Sequence, residues 1–235
     1  MSVSNATGWD GPIESNAFPS QLLARVITPG HQPCVHGYDV HNDLALHYNL
    51  TELAYLALTG DLPEPHVTLA LNAALIICAP VSVAQAPTHA AVLSQLCGAE
   101  PSATLGVAAI ALAEQARHTV AAHRSLLEWL NDTSQPFPET FQATHRDDLD
   151  SLGSLKLALR PSRLEVPGLQ SNPTLLAAIL LVLHACGLRG ARQMESLLVW
   201  ARLPLVLAEA FAESEANFKN YPINLPHFNY EEPEP

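Results

Sequence analysis

The chain has 235 residues, 48% of them apolar, so it is long enough for one large domain or a domain with a smaller lobe and too apolar to be disordered throughout. Its 11 Lys and Arg stand against 23 Asp and Glu, a net charge of −12 that leaves no basic stripe for nucleic acid or an anionic membrane surface. Aromatic residues are only 6% and Ala and Leu dominate, which favours helices over sheets because neither residue loses much on entering a helix.

Residues 1–20 read as a loose N-terminal arm, without the basic and apolar regions of a signal peptide, so the chain is expected to be cytoplasmic. "ARVIT" and "CVHGY", between Ala24 and Asp39 and separated by Pro29-Gly30, predict a small β-hairpin. Asn49 ahead of Thr51 and Glu52 is a helix cap, and Leu50, Leu53, Ala54, Leu56 and Ala57 follow at helical spacing. Thr59-Gly60-Asp61 and Pro63 end that helix. Further helices are predicted from Pro65 to Ala79 and from Pro87 to Leu96, the latter ended by Gly98. A long helix from Pro101 to Leu130, with a break near Arg117, carries a run of small residues that lets helices approach closely, within one subunit or across a dimer.

Asn131 to Gln170 is polar and proline-containing, and residues 131–170 are expected to form a reduced small domain or lid. Two helices follow, Asn172 to Cys186 and Gly190 to Ala216, so that residues 21–130 and 171–220 compose a large helical domain. Residues 221–235 form an extended acidic tail. The apolar runs Val67 to Ala84 and Leu175 to Leu183 read as core helices rather than membrane spans. The first is interrupted by Asn72 and Pro80, and the second is shorter than the roughly 20 residues a span requires. Cys34, Cys78, Cys97 and Cys186 have no metal-like spacing and read as reduced thiols, and no metal site is expected. The fold class is all-α with a minor β-hairpin.

Four segments resemble the citrate synthase family, and more closely its short citryl-CoA lyase branch. "HGYDVHNDLALHYNLTELAYLALTGDLPEP" resembles the family's R-G-Y-D-I segment and the helix ending in L-L-T-G-E-L-P, with His36 where the family has Arg. "PTHAAVLSQLCGAEPSATLGVAAIAL" resembles its H-A-A-R helix pair, with Val92 in place of that Arg. "SNPTLLAAILLVLHACGL" resembles the N-V-D-G segment, and "LLVWARLPLVLAEAFAE" resembles F-A-x-A-R-x-P-G. The resemblance implies a two-lobed helical dimer, with a small domain closing over an acyl-CoA. It implies an aldol or Claisen-type step in which a carboxylate base takes a thioester α-proton, neutral donors hold the oxygens and arginines clamp carboxylates.

Carried onto this chain, the resemblance gives three candidate site residues and several departures. In "RHTVAAHRSLLEWL" the family's first His falls at Thr119, with His118 next to it, and the two glycines of H-G-G are Val120 and Ala121. His118 is either the catalytic donor or a surface histidine. His145 in "THRDDLD" is the candidate for the second His, against a solvated charged loop, and Asp147, Asp148 and Asp150 lie beside it. The base Asp of N-V-D is Thr174 here, and a threonine cannot take a thioester α-proton at neutral pH, which leaves Asp147, Asp148 or Asp150 as the carboxylates to replace it. Arg202 in "WARLP" matches the arginine that grips a substrate carboxylate. The alternative for it is a structural ion pair with Glu195, Glu209 or Asp39. Two functions follow. One is an enzyme of the citrate synthase and citryl-CoA lyase type, with acyl-CoA as co-substrate. The other is an inactive relative that binds a carboxylate or serves as partner subunit, as a homodimer or in a heteromer with an active paralogue.

Overall fold

The computed structural model describes residues 23–212, so the expected N-terminal arm and acidic tail lie outside the described residues. The chain divides into two compact units, residues 1–61 and 62–235.

The first unit contains a three-stranded antiparallel sheet, Ile27–Thr28 (β1), Cys34–Val35 (β2) and Tyr38–Asp39 (β3), in the order β1-β2-β3. The expected hairpin therefore gains a strand. "CVHGY" is not one strand but a hairpin of its own, with Val35 paired to Tyr38 across His36 and Gly37. Both loop residues have positive φ, 47° and 89°, as a two-residue turn matching the sheet twist requires. The Asp39 carboxylate then accepts from the N–H groups of His41 (2.8 Å) and Asn42 (2.7 Å). It starts a π-helical segment, Val40–Leu44, that runs into α1, Ala45–His47. α2, Leu50–Thr59, opens with a capping box: Asn49 accepts from Thr51 and Glu52, and Glu52 reaches back to the Asn49 N–H (2.8 Å). Gly60, at φ 89°, closes it in the left-handed conformation.

The second unit holds α3 (Pro65–Cys78), α4 (Ala86–Leu96), α5 (Pro101–Ala122), α6 (Arg124–Trp129), α7 (Arg146–Leu159), α8 (Leu175–Ala185) and α9 (Ala191–Ala212). Proline stands in the first turn of α3, α4 and α5, where its missing N–H would have had no helical partner. α4, α5 and α9 pack on one another around Ala91, Ala108, Leu112, Val206 and Ala210, and the alanines are what allow the close approach. α8 is buried all round from Ala177 to Leu183 and packs on α3. Each buried Leu or Ile there is stabilised by roughly 1.5–3 kcal/mol of transfer free energy, so this helix needs no polar face.

Two expectations change in this unit. The long helix is not broken near Arg117. α5 runs through it and ends at His123, whose Nδ1 is 2.8 Å from the Thr119 carbonyl and whose ring stacks on Phe141 at 5.0 Å. The charged "THRDDLD" is not a loop but the start of α7, which turns Leu152, Leu155 and Leu159 inward and packs on α3 and α8. Between α6 and α8, Trp129 and Phe137 meet edge to face at 5.3 Å. Gly168 lies against this pair at φ 78°, where a Cβ would fall 2.9 Å from the Phe137 ring. No helix among the described residues is long and apolar enough to cross a membrane.

Candidate functional site

The ends of α3, α5 and α8, the first turn of α7 and the middle of α9 converge on a cleft of about 390 Å³ in the second unit. Its floor is Arg202, only 6% exposed on α9. The Arg202 Nε donates to the Cys78 carbonyl (3.0 Å), the last residue of α3, and Nη1 donates to the Gln115 Oε1 (3.2 Å). Both acceptors are uncharged. The ion pairs among the described residues are Arg117 with Glu114 and Arg146 with Asp150, so neither Glu195 nor Glu209 neutralises Arg202. Asp39 commits its carboxylate to the start of the π-helical segment. Within the described residues the guanidinium has its geometry fixed but its charge unmatched, an arrangement that is costly in a folded interior unless an anion completes it.

Gln115 is held on both sides. Because arginine only donates, it takes the Gln115 oxygen and leaves the amide Nε2 to donate to the Gln85 Oε1 (3.1 Å). The Gln115 backbone carbonyl accepts from the Thr119 hydroxyl at 2.8 Å, one helical turn on. Gln115 and Thr119, four residues apart on α5, therefore face the same way. Thr119 is 7% exposed and lines the cleft. It is the position where the resemblance puts the family's first histidine.

Opposite, Thr174 also lines the cleft as the N-cap of α8, its hydroxyl accepting from the Ala177 N–H (3.4 Å). It is the position where the resemblance puts the family's base. Both threonine hydroxyls are engaged with their own backbone, and neither is a base at neutral pH. Asp148, half-buried in the first turn of α7, is the carboxylate that lines the cleft. The Cys78 thiol is buried in the floor and donates to the Leu75 carbonyl. Burial pushes its pKa up, and the nearby Arg202 charge partly opposes that rise.

The three residues singled out from the sequence are thus not gathered together. Arg202 forms the floor. His118, one residue before Thr119 and so about 100° around α5, is exposed and does not line the cleft. His145 is the exposed N-cap residue of α7, and Asp148, three residues on, reaches the cleft in its place. Gln85 and Gln115 were not singled out from the sequence, and Asp148 was named there only together with Asp147 and Asp150 beside His145. Gln115 could have been found as the residue one turn before Thr119. Gln85 lies in a loop with no local pattern to mark it. Among the described residues no group of three or more His, Cys, Asp or Glu is placed to hold a metal ion.

No family model matches the chain, and no curated protein matches it. Solved structures do. Citryl-CoA lyase from Hydrogenobacter thermophilus superposes with a TM-score of 0.63 at 17% identity, over 91% of this chain and 96% of that one. ATP citrate lyase from Methanothrix soehngenii, in complex with citrate and coenzyme A, gives 0.58 at 12% identity over 94% of this chain. A Methanosaeta concilii ATP citrate lyase variant, in complex with (3S)-citryl-CoA, gives 0.59 at 11% over the same share. This chain spans 43% of the length of each ATP citrate lyase. These likenesses match the fold class read from the four sequence segments: the chain has the citryl-CoA lyase fold, a mostly helical, citrate synthase-like architecture with a small three-stranded sheet.

Proposed function

We propose that this citrate synthase-like chain binds a small carboxylic acid on Arg202 and does not run the carbon–carbon step through the base and histidines of the family it resembles. One observation carries the reading. A guanidinium 6% exposed at the floor of a cleft is held by two neutral acceptors, with no carboxylate partner among the described residues. A ligand carboxylate supplies what is missing and forms strong charge-assisted bonds there. The cleft volume, about 390 Å³, lies near the low end of the roughly 300–1,000 Å³ typical of ligand pockets, so it suits a small acid better than a whole acyl-CoA. Thr119 and Thr174, at the histidine and aspartate positions, supply neither a proton donor that cycles near neutral pH nor a base.

A second reading is favoured by Asp148. As the carboxylate in the cleft wall it is placed to replace the base lost at Thr174, in an aldol or Claisen-type reaction of an acyl-CoA with a 2-oxo acid. In either reading a second copy of the chain is the expected partner. Ile110, 69% exposed on α5, lies one turn before Ala113, which borders a shallow groove with Val199, Trp200 and Leu203 on α9.

Calorimetric titration of the full chain with succinate, oxaloacetate and citrate, beside Arg202→Met, tests the binding reading. Folding of the variant is followed by circular dichroism. Binding to the wild type that vanishes in a folded Arg202→Met supports it. In parallel, coenzyme A release from acetyl-CoA plus oxaloacetate, and acetyl-CoA release from citryl-CoA, are followed. Turnover that disappears in Asp148→Asn would replace the binding reading with the enzymatic one.

A further inference from the structure

The charge inventory of the cleft says more about its occupant than that it carries a carboxylate. Arg202 brings one positive charge and Asp148 one negative charge. The other polar side chains lining the cleft, Gln85, Gln115, Thr119 and Thr174, are neutral. The two charged groups line one small space, yet they are not an ion pair: neither belongs to the pairs found among the described residues. Each also comes from a different element, the middle of α9 and the first turn of α7. A cleft with one cation and one anion held apart is matched end to end by a ligand with the reverse arrangement.

Resting on the reading that Arg202 binds a carboxylate, we infer that the ligand is zwitterionic: a small amino acid whose carboxylate meets Arg202 and whose ammonium meets Asp148. The alternative of a di- or tricarboxylate fits poorly. A second ligand carboxylate would face Asp148 across the cleft, and the cleft has no second cationic side chain to receive it. In a cleft partly screened from water, a like-charge encounter of that kind is strongly unfavourable, whereas an ammonium bound to the same carboxylate is favoured. The hydroxyls at Thr119 and Thr174 do not alter this balance, since both are bound to backbone groups on their own helices. Asp148 acts here as a specificity-determining residue and takes no part in proton transfer.

The test is a matched series on the full-length protein. ω-Amino acids from glycine to 5-aminopentanoate are titrated by calorimetry beside dicarboxylates of the same chain length, for the wild type, Asp148→Asn and Asp148→Lys. The expected result is at least tenfold tighter binding of the best ω-amino acid than of its matched dicarboxylate. That ratio should collapse toward one in Asp148→Asn and reverse in Asp148→Lys. Equal or tighter binding of the dicarboxylates by the wild type overturns the zwitterion inference while leaving the carboxylate reading in place. A preference for the amino acid that survives both substitutions overturns the role of Asp148. If neither series binds, but oxaloacetate or citrate does in the experiment above, the inference falls alone. If no carboxylate binds at all, the inference and the reading on which it rests fall together.

Discussion

The floor and the wall of the cleft solve different problems. The floor, where α9 crosses the end of α3, buries a cation and fixes it with two neutral acceptors that have little freedom of their own. The wall, made by the end of α5 and the start of α8, presents two hydroxyls and spends both on local backbone bonds. A buried charge demands partners and so announces itself. A hydroxyl bonded to the backbone of its own helix is satisfied before any ligand arrives. The floor thus retains a requirement for something outside the chain, and these two threonines do not.

The largest effect expected from this contrast is at Arg202. Removing a charge-assisted interaction costs about 1.5–3 kcal/mol, so Arg202→Met should weaken carboxylate binding roughly 10- to 150-fold by calorimetry. Next comes Gln115→Leu, which leaves Arg202 charged but takes away its Nη1 acceptor and the bond to Gln85. Loss of about 0.5–1.5 kcal/mol of orientation should weaken binding about 2- to 10-fold in the same assay, well short of the Arg202 variant.

The floor should also respond to pH. Burial raises the Cys78 pKa above the ordinary thiol value of 9.0, so the folded protein keeps that proton where the unfolded chain loses it. This stability is fully present below pH 9.0 and is lost as pH rises through the folded value. Cys186, pushed up to about 12 by burial, loses stability in the same direction. Denaturant midpoints measured from pH 7 to 10.5 should fall at the alkaline end, and the fall should be shallower in Cys78→Ala. The smallest effects should come from His118→Ala and His145→Ala. Both side chains are exposed and outside the cleft lining, so midpoint stability should move by no more than about 0.5 kcal/mol and carboxylate binding should not change.

Helix starts were legible wherever a residue has one dominant local use. Pro65, Pro101 and the Asn49 capping box each mark a first turn because the backbone chemistry is contained within four residues. Arg202 was legible for a related reason: a permanent charge among Val199, Trp200, Ala201 and Leu203 must find an anion or acceptor. Features set by distant residues were not legible. α5 ends at His123, whose ring stacks on Phe141, 18 positions away, and near Arg117 the sequence holds no local signal that decides between a break and continuation. "CVHGY" folded back on itself because His36 accepts a left-handed backbone, which pattern alone does not reveal. In the cleft, motif comparison pointed to the turn of α5 that carries Thr119, but which of two adjacent residues faces inward is a matter of helix phase. Phase turned His118 outward and Thr119 inward.

Thr174 carries a consequence for how such a protein changes over time. As an N-cap, threonine ranks no higher than aspartate, since either side chain accepts from the first turn of α8. A swap between them therefore leaves folding almost untouched while adding or deleting a carboxylate at the cleft. Selection on stability would be blind to this position, and a lineage could drift between a silent scaffold and one bearing an acid group here without passing through an unfolded intermediate. Thr174→Asp is the single step in that walk, and its melting temperature should stay within a few degrees of the parent.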